Sequence, residues 1–125
     1  MSTERELMDF ARETFSSVWS LETALLMMSK PGHDWQQADL VTVLRASKLV
    51  VVQAVDELLA AGLVVVEPGD RVRYQPATPD IGQAMTRAAA LYATSPSAVR
   101  RVIVRSRRGG ISAFSDAFKL RKGEP

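Results

Sequence analysis

His33 is the only histidine in the chain and there is no cysteine, so neither thiolate chemistry nor a His/Cys metal site has the ligands it needs. His33 sits beside Asp34 after Lys30-Pro31-Gly32, with no second base or nucleophile spaced to orient it, and reads as a loop residue. The neighbouring carboxylates Asp56-Glu57 fall on the solvent side of a predicted helix, and Gly109-Gly110 follows a helix without the strand-turn-helix setting of a phosphate loop. No enzyme, cofactor or metal is therefore expected. What remains is recognition chemistry. Lys48 and Gln53 can bond phosphate and base edges, Leu49 and Val52 can touch a thymine methyl, and Arg45, Arg71 and Arg73 can pair with phosphate.

These side chains need elements to carry them. Ser47 can cap a helix running to about Ala61 and ending at Gly62, whose inward stripe is Val51, Ala54, Val55 and Leu58. A shorter helix precedes it, capped by Asp34 with Gln37 reaching back, anchored by Trp35 and turning Leu40, Val43 and Leu44 inward; Arg45-Ala46 form the turn. Beyond Gly62, Leu63-Val64-Val65-Val66 and Arg71-Val72-Arg73-Tyr74 flank Glu67-Pro68-Gly69-Asp70, which predicts a hairpin with positive φ at Gly69. Alternation puts Val72 and Tyr74 on one face and presents Arg71 and Arg73 to solvent.

Helical patterns flank this centre. Leu7, Phe10, Ala11 and Phe15 recur on one side of an N-terminal amphipathic helix that can cover the core or build a dimer. After Ser16-Ser17, the next helix offers Leu21, Ala24, Leu25 and Met28 inward, with Trp19 nearby. Thr78-Pro79 and Ser95-Pro96 each look like a cap followed by proline at the first helical position. The first opens a helix through Ile81, Met85, Ala88, Ala89 and Tyr92. The second carries Val99, Val102 and Ile103 on one side and Arg100, Arg101 and Arg105 around the rest.

Length allows one domain with a proper core. The segments expected are an N-terminal helical extension (1–17), a central domain (18–76), C-terminal helices (77–108) and a basic amphipathic tail (109–125). Net charge is +2, but residues 1–96 hold 8 Lys/Arg against 12 Asp/Glu, and residues 97–125 hold 8 against 2. The basic character thus belongs to the end of the chain. There, Arg100, Arg101, Arg105, Arg107, Arg108, Lys119, Arg121 and Lys122 with Phe114 and Phe118 could meet nucleic acid or an acidic partner. No apolar run is long enough to span a membrane, and Met1-Ser2-Thr3-Glu4 lacks the marks of a secretory leader, so no membrane partner and a cytoplasmic location are expected.

The run Ala38-Asp39-Leu40, Leu44, Ala46-Ser47, Val51, Ala54, Leu58, Ala61-Gly62-Leu63-Val64 resembles the helix-turn-helix of MarR-like and related bacterial winged-helix regulators. The resemblance covers roughly residues 18–75; the remainder is similar to small uncharacterised bacterial winged-helix proteins. It implies a mainly α fold with a small β-hairpin: a winged helix-turn-helix with N- and C-terminal helical extensions. It also implies a homodimeric transcription regulator that binds double-stranded DNA through Arg45, Ser47, Lys48, Leu49, Val52, Gln53, Arg71 and Arg73. Members of that family usually display Arg, Ser, Thr or Gln outward on the second helix, whereas here a helical wheel places Leu49, Gln53, Asp56 and Ala60 outward. Weak binding by a monomer is the expectation. The alternative is a protein-interaction module using the apolar Leu49, Val50 and Val52 face or the Phe114/Phe118 tail.

Overall fold

The computed structural model describes residues 3–105; the expectations for Arg107, Arg108, Phe114, Phe118, Lys119, Arg121 and Lys122 lie outside the described residues. Within them the chain is mainly helical with one small antiparallel sheet. The order is α1 (Glu4–Thr14), α2 (Val18–Met28), β1 (Trp35–Gln36), α3 (Gln37–Leu44), α4 (Lys48–Ala60), β2 (Val64–Glu67), β3 (Arg71–Tyr74) and α5 (Pro79–Thr94). A further helix, α6, runs through residues 96–105.

Local chemistry starts and stops these helices where polar caps allow. Thr3 and Glu6 form a reciprocal capping box at α1: the Glu6 amide donates to Thr3 Oγ1 at 3.1 Å and the Thr3 amide to Glu6 Oε1 at 2.7 Å. The bond from the Thr3 amide, with the Thr3 hydroxyl adding to it, holds the Glu6 carboxyl below its ordinary pKa. Ser17, Ser47 and Thr78 each accept a backbone N–H in the first turn of α2, α4 and α5. Gly62 ends the α4 segment at φ +77°, and the Ala77 amide donates to its carbonyl at 2.8 Å, so the chain after the sheet returns beside the end of α4.

The sheet has the order β1-β3-β2, with Trp35 opposite Val72 and Val66 also opposite Val72. The expected hairpin is present, its turn carrying positive φ at both Gly69 and Asp70. A third strand was not expected. Trp35 and Gln36 belong to β1 rather than to the first turn of α3, so the Asp34/Gln37 cap is replaced by one two residues later, in which the Gln36 amide donates to Asp39 Oδ2 at 3.4 Å. Pairing with β3 wins over local capping because it seats the Trp35 ring in the core, where it is 5% exposed.

One hydrophobic cluster joins Ala11 and Phe15, Leu21, Ala24 and Met27, Leu40, the α4 stripe Val51, Val55 and Leu58, the strand residues Val64 and Val72, Met85 and Tyr92, and Val99 and Ile103. The flanking helices therefore share a core with the centre, and α1 packs chiefly on α5. Two inward assignments change: Met27 is fully buried and Met28 only partly, and Val43 is 54% exposed. Trp19, expected near that face, is 43% exposed.

Candidate functional site

The α3–α4 junction turns sharply because Arg45 takes the left-handed conformation (φ 55°), letting the Ala46 amide donate to the Val41 carbonyl at 3.2 Å. Ser47 then restarts the chain as a helix, its Oγ accepting from the Val50 amide at 3.1 Å. With Val51, Ala54, Val55 and Leu58 buried, the opposite side of α4 faces outward: Lys48, Gln53 and Asp56 are exposed, Leu49 is 64% exposed, and Val52 is half-buried. Lys48 shares a shallow depression with Gln37, Ala38, Val41 and Thr42, so the first turns of α3 and α4 form a common surface with one ammonium group on it. Arg45 and Ser47 are exposed between them. The Gln53 amide has no hydrogen-bond partner among the described residues.

The hairpin differs from expectation in its charge. Arg73 donates to Asp34 Oδ1 at 3.1 Å, to Glu67 Oε1 at 2.7 Å and to Gln75 Oε1 at 3.1 Å, and its side chain is only 26% exposed. Two carboxylates neutralise it, so it is not a cation presented to solvent. Arg71 is more open; its Nε donates to the Pro68 carbonyl at 3.1 Å, and its guanidinium lies 3.8 Å from Asp34.

On α6 the three arginines are all exposed, but Arg100 is tied down: its Nε donates to the Tyr92 hydroxyl at 2.9 Å, and that hydroxyl donates to Glu22 Oε2 at 2.7 Å. The chain of bonds ties α6 through α5 to α2. Burial and the bond to Glu22 push the Tyr92 phenol above its ordinary pKa, against the opposing pull of Arg100.

Two residues on this side of the molecule play parts that the sequence does not convey. Glu57, expected on the solvent side, is half-buried and turns back to the start of α2, where the Ser16 amide donates to Oε1 at 2.8 Å and the Ser16 hydroxyl to Oε2. Trp19 stands open above it. Only the exposure of an aromatic at the second position of a helix could have hinted at this, and exposure is a tertiary property. Among the described residues, no three His, Asp or Glu side chains are grouped to hold a metal ion, and no helix is long and apolar enough to cross a membrane. Comparisons with protein families, curated proteins and solved structures found no match.

Proposed function

We propose that this chain is a DNA-binding transcription regulator of winged helix-turn-helix design, in which α2, β1, α3, α4 and the β2–β3 hairpin form the DNA-binding unit and α4 is the recognition helix. The observation that carries the reading is the division of α4 into a buried apolar stripe and an outward face starting at a capped N-terminus, with Lys48, Leu49 and Gln53 accessible. Gln53, whose amide has no partner among the described residues, suits the N6/N7 edge of adenine, and Leu49 suits a thymine methyl. Lys48, Arg45 and Arg71 would meet phosphates, which position the protein but do not read sequence. Three such cations give little affinity, so a homodimer spanning two half-sites is part of the proposal. No catalytic role is proposed.

The test is binding of the purified full chain to a fluorescent duplex from its own promoter region, with scrambled duplex as competitor, at two salt concentrations. Saturable binding that survives the competitor, weakens with salt and is lost on joint Lys48→Ala and Gln53→Ala replacement supports the reading. Equal binding to scrambled duplex, or none, overturns it. A second reading, a protein-binding module, is favoured by the exposure of Leu49 at 64% and Val43 at 54% on neighbouring helices. Under it, Leu49→Asp with Val43→Asp abolishes capture of a partner while the DNA arm stays negative.

A further inference from the structure

A cleft of about 350 Å³ opens between the start of α2 and the middle of α4, within the size range of pockets that hold small ligands, roughly 300–1,000 Å³. Its apolar wall is Trp19 with Val50 and Ala54. The same cleft is lined by Ser17 and Ser20, whose hydroxyls are 3.2 Å apart, and by Gln53 and Glu57. The polar groups include donors and acceptors of every kind: hydroxyls that do both, an amide that does both, and a carboxylate with lone pairs left after its two bonds from Ser16.

Charge narrows the ligand class. Among the described residues Glu57 is the one ionisable group lining the cleft, and it already sits against the N-terminus of α2, whose first amides carry partial positive charge. An anion would be repelled by Glu57, and that carboxylate, already bonded by the Ser16 amide and hydroxyl beside the end of α2, is partly spent as a partner for a cation. A neutral molecule needs no ion pair here. A flat apolar face for Trp19 on one side and several hydroxyls on the other satisfy both walls at once.

We infer that this cleft is a binding site for a small neutral polyhydroxylated ligand of the monosaccharide or cyclitol class, stacked on Trp19 and hydrogen-bonded by Gln53 and Glu57. Occupancy takes up the amide of Gln53, the group assigned above to an adenine edge. The regulatory consequence, competition between ligand and operator, rests on the DNA-binding reading; the site itself does not.

The experiment therefore reads the ligand without DNA. Full-length ¹⁵N-labelled protein is titrated with glucose, galactose, ribose and myo-inositol, and with benzylamine and phenylacetate as charged controls. The Trp19 indole and Gln53 side-chain amide signals are followed, with the buried Trp35 indole as reference. At least one of the four neutral compounds is expected to shift Trp19 and Gln53 saturably while leaving Trp35 in place. Trp19→Ala and Gln53→Ala, both at exposed positions, are each expected to weaken that binding by about ten-fold, the loss of one stacking or hydrogen-bonding partner. No saturable shift with any of the four, tighter binding of either charged control, or binding unchanged in both variants overturns the inference. Loss of promoter binding in the previous assay leaves this result readable. A ligand that binds here and lowers affinity for a promoter duplex would join the two.

Discussion

Arg73 is surrounded by acceptors, and that sets what the hairpin can offer an anionic partner. Each of its ion pairs is partly exposed, so together they contribute little to stability, about 1 kcal/mol or less per pair. Their larger effect is on availability. Replacing Asp34 with Asn and Glu67 with Gln should leave thermal stability nearly unchanged while freeing one guanidinium. If the hairpin lies along a phosphate backbone, affinity for promoter duplex rises and the log–log salt slope steepens by about 0.9 per protomer, which salt titration of the double variant measures. Ser47 is the opposite case, a small group with a structural duty. Its hydroxyl satisfies the Val50 amide at the exposed start of α4, so Ser47→Ala should cost about 1 kcal/mol, seen as a lower urea midpoint with an unchanged m-value.

At the scale of elements, the turn after α4 depends on backbone geometry that one residue type supplies cheaply. Gly62 has φ +77°, and a Cβ there would lie 3.4 Å from Ala77 Cβ and from Ile81 Cδ1. Gly62→Ala is expected to lower stability by about 1–2 kcal/mol, the cost of a left-handed L-residue, with the tight neighbours adding to it; chemical denaturation checks this. The same position shows what sequence can convey. Gly62, the serine and threonine caps and the Val51-Ala54-Val55-Leu58 stripe are local signals repeated at helical spacing, and those elements were readable. Strand β1 was not, because two residues have no period and Trp35-Gln36 become a strand only by pairing with Val72 and Arg71. Periodicity also says which positions share a face without saying whether anything covers it, which is why it turns Val43 inward although the residue is exposed. The neutralising of Arg73 had only half a local trace: Glu67 lies six residues away in the same hairpin, but Asp34 reaches it from a distant part of the chain.

For the whole molecule, the link from Glu22 through the Tyr92 hydroxyl to Arg100 joins three helices around a single buried ring. Tyr92 and Tyr74 both have phenols raised above the ordinary value of 10.0, Tyr74 by burial and Tyr92 mainly so. For an acid the sign is plain: the unfolded chain loses these protons first, so the folded state binds more protons at high pH. Stability from these groups is fully present below pH 10 and is lost as pH rises through the higher folded values. Unfolding free energy measured on either side of pH 10 should fall, and Tyr92→Phe should flatten that fall. Finally, the pairing of Trp35 with Val72 makes the stretch from β1 to β3 a closed ring of chain, with α3, α4 and β2 strung along it. The entropy of closing a ring depends only weakly on its circumference, about 0.6 kcal/mol for each doubling. Extra residues spliced into the exposed arc 68–70 would therefore lengthen the ring at little thermodynamic cost, leaving its two anchored ends and the seat of α4 unmoved.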